Sequence, residues 1–228
     1  MSAYVLAIDT TGDVGSIALA GECGVIEEVM LDSPDGFAHV LFDEIGRLLE
    51  RHGLEVSQMD AFASASGPGS FTGVRVGLAA VKGLAEATGR KVIAVSNLQA
   101  LAWHGSRSLR AAVLDARRGE VYGGLYNAAL EIMQEEVVAQ LPVWLASLPQ
   151  GELEIVTQRF LLGGATTPAF GRHRFVQAPK ALAGSIGRIA FDRLLSGVVL
   201  DPAEVDANYV RRSDAELLWK DTLPDSVG

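Results

Sequence analysis

A strand, a glycine-rich loop, a helix and a second strand follow one another directly between residues 61 and 96, and this succession restricts the fold more than any other feature. The apolar run AFASAS leads into GPGSFTGVRVG, helical spacing continues from Thr72 to Thr88, and KVIAVS follows as the next strand. A crossover of this kind joins two parallel strands through a right-handed connection. The sequence therefore predicts an α/β fold whose sheet contains a parallel pair.

The residues ahead of this crossover predict short strands and one helix. Tyr4 to Ile8 form an apolar run, and a turn at Asp9 to Gly12 leads into alternating small residues. This pattern indicates two or three antiparallel strands. A helix is predicted after Pro34, and Gly53 lies where its left-handed C-terminal cap belongs. The apolar residues at helical spacing are Phe37, Val40, Leu41, Ile45, Leu48 and Leu49.

The second half of the chain echoes the first. AAVLDARRGEVYGGLY carries a strand that ends in Asp115, a glycine-containing turn and a second strand, as YVLAIDTTGDVGSIAL does around Asp9. Such an echo suggests a duplicated unit, although strand, turn and strand also recur by chance. Further along, the spacing predicts a short helix at Val143 to Ser147, a strand near Phe160 and a helix from Ala181 to Ser196.

The GPGSFTG loop lacks the residues of the two standard nucleotide-binding glycine loops. Val74 and Arg75 follow Gly73, where a P-loop has a lysine and a hydroxyl residue for the phosphates and Mg²⁺. Its glycines are also one residue too far apart for a dinucleotide fingerprint. Two interpretations stay open: hydroxyl caps for the next helix, or an anion site formed by the backbone N–H groups at the helix start.

Two aspartates occupy similar places, because Asp9 and Asp115 each end a strand ahead of a turn. A carboxylate there either caps the turn or holds hydrated Mg²⁺ across a nucleotide cleft. The candidate nucleotide-binding or anion-binding residues are these two aspartates with their neighbours and the loop: Asp9, Thr10, Thr11, Gly67, Gly69, Ser70, Thr72 and Asp115.

The helix after the glycine loop is apolar on almost every side. Its charged residues share one narrow stripe and are Arg75, Lys82 and Glu86. An amphipathic surface helix would instead have a polar half. This helix also has small residues at Gly77, Ala80 and Gly83. Small residues permit the close approach of another helix. The preceding helix has a second stripe beside its core stripe, formed by Ala38, Phe42, Gly46 and Leu49. We predict a partner-binding face on these two helices; the alternative is burial inside a larger single domain.

Net charge restricts the partners of this chain. The 228 residues include 28 acidic and 19 basic side chains, a net charge of -9, so the chain alone repels a phosphate backbone. Short basic spots occur at Arg117–Arg118, Arg172 to Arg174 and Arg211–Arg212. They are interpreted either as solvated surface arginines or as phosphate contacts inside a larger complex.

Sequence signatures of metal sites and serine hydrolases are missing. No two of the histidines have helical metal spacing, the single cysteine excludes a cysteine cluster, and no Gly-x-Ser-x-Gly occurs. We therefore predict no metal site and no catalytic residue. The chain also lacks an apolar run of membrane-spanning length and a signal peptide at its start, which predicts a cytoplasmic protein without a membrane partner.

Five segments in order resemble the TsaB (YeaZ) family: LAIDTT, GPGSFTGVRVGL, SNLQALA, DARRGEVY and NYVRR. The resemblance spans most of the chain up to Val210. That family is the non-catalytic paralogue in bacterial synthesis of threonylcarbamoyladenosine (t6A) on tRNA. The resemblance implies an α/β fold of the actin, Hsp70 and sugar-kinase (ASKHA) type. Its two duplicated lobes with mixed sheets correspond to residues 1–104 and 105–220, and residues 221–228 form a flexible tail.

The resemblance also implies partners. These are a heterodimer with the catalytic paralogue TsaD through the first two helices, association with the ATPase TsaE, and tRNA contact only through that complex. A homodimer is expected where the partner is absent. The chain requires no cofactor, and ATP or ADP belongs to the level of the complex. The expected interface comprises Ala38, His39, Phe42, Gly46, Leu49, Phe71, Val76, Gly77, Ala80, Gly83 and Leu84.

The chain departs from the family pattern at two places. Family members have Asp-Thr-Ser near the start and Leu-Leu-Pro in the first helix, where this chain has Asp9-Thr10-Thr11-Gly12 and Leu41-Phe42-Asp43. TsaD carries metal-binding histidines in its first large helix, and only His39 stands there in this chain. Two function classes stay open: a scaffold that activates a modification enzyme without turnover of its own, or an enzyme, either an actin-like ATPase or a glycoprotease-like peptidase.

Overall fold

The computed structural model describes residues 3–158 and 173–210, which form two five-stranded mixed sheets. The first sheet consists of β1 (Tyr4–Asp9), β2 (Gly15–Gly21), β3 (Gly24–Leu31), β4 (Ala61–Ala65) and β5 (Lys91–Val95). Its order is β3-β2-β1-β4-β5, in which β1 to β3 are antiparallel and β4 and β5 run parallel to β1. The predicted parallel pair and the predicted antiparallel strands are confirmed.

The second sheet repeats this arrangement. It consists of β6 (Leu109–Arg117), β7 (Glu120–Asn127), β8 (Ile132–Gln140), β9 (Glu154–Thr157) and β10 (Arg174–Gln177). Strands β6 to β8 are antiparallel, and β9 and β10 run parallel to β6. The turns repeat as well: the Asp9 carboxylate accepts the Thr11 N–H at 2.9 Å, and the Asp115 carboxylate accepts the Arg117 N–H at 2.7 Å. The predicted duplication is therefore confirmed.

Helices accompany the sheets in the described ranges: α1 (Leu41–Arg51), α2 (Phe71–Thr88), α3 (Asn97–Ala102), α4 (Leu141–Ser147) and α5 (Ala183–Leu195). α2, α4 and α5 confirm three predicted helices to within two residues at either end. α1 begins later than predicted, because Phe37–His39 form a short 3-10 helix closed by a hydrogen bond from the Val40 N–H. Asp43 and Glu44 then lie in the first turn of α1, where negative charge is favourable.

Both faces of the first sheet are covered by helices. Side chains alternate along β1, so that Leu6 and Ile8 pack with α1 and α2, whereas Val5 and Ala7 pack with α5. All four side chains are fully buried. The glycine loop and α2 therefore lie on the outer side of the first sheet, and the second sheet lies beyond α3 and α5 on its inner side.

The helices between the two sheets are exchanged between the halves of the chain. α3 packs on β6, β7 and β9 of the second sheet, and α5 packs on every strand of the first. The segment after α5 also returns to the first sheet, since Leu200 bridges to Val92 and Val205 lies in the core under α1 and α2. Each half of the chain therefore buries the inner face of the other half's sheet, and the division into residues 1–104 and 105–220 stays a prediction.

Some sequence predictions fall on residues outside the described ranges. They are the strand near Phe160, the tail at 221–228, and the basic residues Arg172, Arg211 and Arg212. Among the described helices, none has both the length and the apolar composition required to cross a membrane.

Candidate functional site

Most of the candidate nucleotide-binding residues meet at one edge of the first sheet. Since β1 and β4 are parallel neighbours, Thr11 after β1 lies beside Gly67 after β4. Asn97, the first residue of α3, joins the two segments. Its side-chain N–H donates to the Thr11 hydroxyl at 2.6 Å, and its side-chain oxygen accepts the Gly67 N–H at 3.0 Å. A hydrogen-bonded chain thus connects the β1 turn, the glycine loop and α3.

Asp9 is buried and lies at one end of this series of hydrogen bonds. Its Oδ1 atom accepts hydrogen bonds from the Thr11 N–H at 2.9 Å and from the Thr11 hydroxyl at 2.6 Å. The side chain is 2% exposed. Burial raises the pKa of Asp9 above its usual value, although the hydrogen bonds from Thr11 act in the opposite direction. Asp9 therefore caps its own turn, which is one of the two interpretations that the sequence left open.

The glycine loop and α2 approach the β1 turn more closely than side chains would permit. A Cβ atom on Gly73 would lie 1.9 Å from the Thr10 carbonyl oxygen, and one on Gly69 would lie 2.8 Å from the Cβ atom of Thr11. A Cβ atom on Gly77, one turn further along α2, would lie 2.9 Å from the Thr10 hydroxyl oxygen. That hydroxyl donates to the Gly73 carbonyl oxygen at 2.6 Å. The glycines thus allow α2 to contact the strand end directly.

The start of α2 is capped from within the chain. The Ser70 hydroxyl oxygen accepts the Gly73 N–H at 3.2 Å, and the Ser70 N–H donates to the Thr11 carbonyl oxygen at 2.8 Å. Ser70 is therefore a helix cap, which is the first of the two interpretations given for the loop, while Thr72 is exposed. A phosphate at the Ser70 or Gly73 N–H would have to displace these internal hydrogen bonds, and nucleotide binding at the loop stays a prediction.

Asp115 is separate from this cluster. It is exposed at the end of β6, and its turn continues through Arg117 and Arg118, which have left-handed φ angles of 63° and 55°. In residues 3–158 and 173–210 no hydrogen bond joins Asp115 to Asp9, and no three His, Cys, Asp or Glu side chains come together as metal ligands. The structure therefore does not combine the two aspartates into one ligand set.

The predicted interface residues divide into a surface group and a core group. The surface group, called the α1–α2 surface below, is exposed or half-buried and consists of Ala38, His39, Phe42, Gly46, Phe71, Val76, Gly83 and Leu84. The core group is buried in this structure. Leu49 and Ala80 are only 2% and 6% exposed between the helices and the first sheet, and Gly77 faces Thr10. They lie on the inner sides of α1 and α2, and their place in an interface stays a prediction.

Comparison with known proteins identifies relatives along almost the whole chain. The family model described as TsaD: tRNA N6-adenosine threonylcarbamoyltransferase matches residues 35–195. The tRNA threonylcarbamoyladenosine biosynthesis protein TsaB of Bacillus subtilis is 33% identical over 229 residues, which cover 94% of this chain and 97% of that protein. The chain belongs to the TsaB (YeaZ) family.

Solved structures agree with membership of the TsaB family. YeaZ from Pseudomonas aeruginosa is 28% identical, with a TM-score of 0.74, and the match covers 91% of this chain and 99% of that one. Component A of the (R)-2-hydroxyglutaryl-CoA dehydratase of Acidaminococcus fermentans has a TM-score of 0.51 at 8% identity, over 85% of this chain and 99% of that one. The predicted ASKHA-type fold is therefore confirmed for this TsaB-family chain.

The sequence interpretation of this TsaB-family chain missed a polar cluster that joins the two sheets. Glu136 on β8 accepts hydrogen bonds from the Ser96 and Tyr126 hydroxyls and from the side-chain amide of Asn208. Burial, together with the Glu136 carboxylate, raises the pKa of Tyr126 above its usual value. The Asn208 N–H also donates to the Ser66 carbonyl oxygen at 2.7 Å. Ser96 and Asn208 belong to the family-like segments, but no spacing pointed to Glu136.

The residue after Asn208 reaches the start of α2. The Tyr209 ring lies 5.3 Å from the Phe71 ring, and its hydroxyl accepts the Arg75 Nε–H at 3.2 Å. The Arg75 guanidinium in turn lies 3.7 Å from the centre of the Phe71 ring. This exposed cluster attaches the C-terminal part of the described chain to the first turn of α2, beside the α1–α2 surface.

Proposed function

We propose that this chain is a non-catalytic scaffold that binds and stabilises a TsaD-like catalytic paralogue for t6A modification of tRNA. Its TsaB relatives are named as tRNA threonylcarbamoyladenosine biosynthesis proteins, and the family model it matches is that of the threonylcarbamoyltransferase. One observation carries the proposal. Asp9 and the glycine loop form hydrogen bonds within the β1 turn and the start of α2, while the α1–α2 surface leaves apolar and small residues exposed.

The same residues give less support to an enzyme. An actin-like ATPase needs a carboxylate and backbone N–H groups that are open to phosphate and Mg²⁺. In this chain Asp9 is buried and bonded to Thr11, and the Ser70 N–H is bonded to the Thr11 carbonyl oxygen. A peptidase needs an activated nucleophile or a bound metal. Among the described residues no three His, Cys, Asp or Glu side chains come together as metal ligands, and we assign no catalytic residue.

The α1–α2 surface fits helices of a partner protein. Phe42 projects from α1 with 56% of its surface exposed, and burial of this remaining surface contributes about 1–1.5 kcal/mol. Gly46 and Gly83 are exposed, and no atom lies within 4 Å of the point that a Cβ atom on Gly83 would occupy. A single aromatic anchor beside glycines permits close helix packing. We infer that the heterodimer with the TsaD-like protein forms here.

The remaining partners follow from this arrangement. We propose that a TsaE-like ATPase joins the heterodimer and that ATP or ADP binds at the level of that complex. The net charge of -9 disfavours direct tRNA binding by this chain, so the complex as a whole holds the tRNA. Without the TsaD-like protein, the same apolar surface associates with a second copy, because exposed apolar patches are unfavourable in water.

Size-exclusion chromatography with light scattering tests the proposed interface. The chain is mixed with the TsaD-like protein of its own organism as wild type, Phe42→Glu and Gly83→Glu. Val143→Glu is the matched control, since Val143 is 64% exposed on α4, beside the second sheet. We expect heterodimers with wild type and the control, and separate, folded chains with Phe42→Glu and Gly83→Glu.

Three results would contradict the proposal. Equal binding by all four chains would place the interface elsewhere. ATP hydrolysis by the isolated chain that is lost in Asp9→Ala would support the ATPase instead. Formation of t6A by the isolated chain, without a TsaD-like protein, would show that the chain is itself catalytic.

A further inference from the structure

A pocket of about 540 Å³ lies where the C-terminal ends of α3 and α5 meet the turn between β7 and β8. Small-molecule sites have about 300–1,000 Å³. The lining residues used below are Trp103, Arg110, Leu130, Ile189, Arg193 and Val198. Asn97 begins α3 at the glycine loop, whereas Trp103 follows its last residue, so the pocket lies at the other end of this helix. It is therefore distinct from the site described above.

Arg193 supplies a half-buried positive charge to this pocket. Its guanidinium donates to the Ala94 carbonyl oxygen at 2.6 Å and to the side-chain oxygen of Gln99 at 2.7 Å. Gln99 is itself fixed, because its amide donates to the Leu130 carbonyl oxygen at 2.9 Å. Both acceptors are neutral, and among the described residues no carboxylate pairs with Arg193. Burial lowers the pKa of Arg193 from its usual value, and the neighbouring Tyr126 hydroxyl acts in the opposite direction.

Arg110 adds a second charge of the same kind. It is half-buried at the start of β6, and it donates to the carbonyl oxygens of Arg107 at 2.9 Å and Ala102 at 3.4 Å. The carboxylate that lines the pocket belongs to Asp192, which is paired with Arg188 one turn earlier on α5. Both arginines of the lining donate their hydrogen bonds to neutral groups, and the buried Glu154 on β9 is the cross-strand neighbour of Arg110.

Apolar side chains form most of the remaining lining, to which Gln99 and Ser196 add polar groups. Trp103 is 39% exposed and Val198 is 59% exposed, and Ile189 and Leu130 lie deeper. The Trp103 ring meets the His104 ring edge to face at 5.1 Å, which fixes its orientation. The pocket thus combines a flat aromatic wall with two guanidinium groups, and arginine is the side chain that best matches carboxylate and phosphate geometry.

We propose that this pocket binds a small organic anion whose carboxylate or phosphate group contacts Arg193 and Arg110 and whose flat apolar body lies against Trp103. This binding site is independent of the scaffold function and of the α1–α2 surface. Because the lining residues include Gln99 on α3, Arg110 on β6 and Arg193 on α5, an occupied pocket also connects the helices that the two halves of the chain exchange.

The test uses nitrogen-15 NMR of the full chain and follows the indole N–H signal of Trp103, assigned from its loss in Trp103→Phe. Benzoate, phenyl phosphate and neutral benzamide are titrated separately. We expect saturable shifts with at least one of the two anions and none with benzamide. The tighter of the two anions identifies the charged group as carboxylate or phosphate.

Substitutions distinguish a binding site from a structural arginine. Arg193→Met and Arg110→Met are each expected to raise the Kd on the order of tenfold, since each removes a charge-assisted hydrogen bond. Arg47→Met is the control, because Arg47 is exposed on α1 and pairs with Glu44. If Arg193→Met fails to fold, Arg110→Met alone decides. Unchanged affinity in the folded variants, equal binding of benzamide, or no shift with either anion would overturn the proposal.

Discussion

The closest backbone contact in the glycine-loop site predicts that Gly73→Ala severely destabilises the chain. The added Cβ atom would lie 1.9 Å from the Thr10 carbonyl oxygen, so the start of α2 must move by roughly 1.5 Å to reach normal contact. Overpacking costs about 1–3 kcal/mol, and the movement also breaks the bond from the Thr10 hydroxyl to the Gly73 carbonyl oxygen, which adds about 1 kcal/mol. We expect a total loss of about 3 kcal/mol.

Gly83→Ala is the matched control on the same helix. No atom lies within 4 Å of a Cβ atom at Gly83, so alanine there is expected to stabilise the chain by about 0.5–1 kcal/mol through helix propensity. Urea unfolding followed by circular dichroism measures both variants. If Gly73→Ala is as stable as wild type, the packing of α2 against the β1 turn is not as described. If both variants lose stability equally, the loss comes from any substitution in α2 and not from the contact between Gly73 and Thr10.

Three further predictions concern single side chains. Leu49→Ala should lower the unfolding free energy, measured in urea, by about 2–5 kcal/mol, because Leu49 is buried. Phe42→Ala should lower it by less than about 0.5 kcal/mol, because Phe42 is exposed, and similar losses in both variants would contradict the division into core and surface groups. Burial raises the folded-state pKa of Asp9, so its contribution to stability falls as pH rises above the usual value of 3.8. The change in unfolding free energy on Asp9→Asn should therefore be more favourable near pH 7 than near about pH 4, and an equal change at both would contradict this. Glu136→Gln should cost about 1–3 kcal/mol by thermal unfolding, since an amide cannot accept all three hydrogen bonds, while exposed Glu135→Gln should be neutral; equal effects would refute the role of the cluster.

Patterns that are continuous in the sequence predicted most of the local structure. Helical spacing from Thr72 to Thr88 gave α2 within one residue, and Gly53 has the left-handed φ of 63° expected of a helix cap. The exchange of α3 and α5 could not be predicted this way. Periodicity shows that a helix has a buried face, but not which sheet covers that face, and β1 and β6 are flanked by similar strands.

The sequence identified some members of the candidate site, such as Asp9 and the glycine loop, but not Asn97, which joins them. Residue types excluded the standard phosphate loops, but the parallel pairing of β1 with β4, which brings Thr11 and Gly67 together, was not predicted. The choice between capping and anion binding depended on contacts between distant segments, such as Asn97 with Thr11, which are separated by 86 residues. Leu49 and Phe42 lie on the same short helix, and only the position of the first sheet decides which of them is buried.

The exchanged helix α5 has a consequence for synthesis on the ribosome. β5 ends at Val95, but the helix that covers the inner face of its sheet begins only at Ala183. At about 5–20 residues per second, the nascent chain carries this uncovered apolar face for roughly 5–20 s. During that interval Val5, Ala7 and Val95 are natural contacts for a chaperone. A fragment that stops before α5 should therefore aggregate, and the shortest fragment with a soluble first sheet should extend past Leu195.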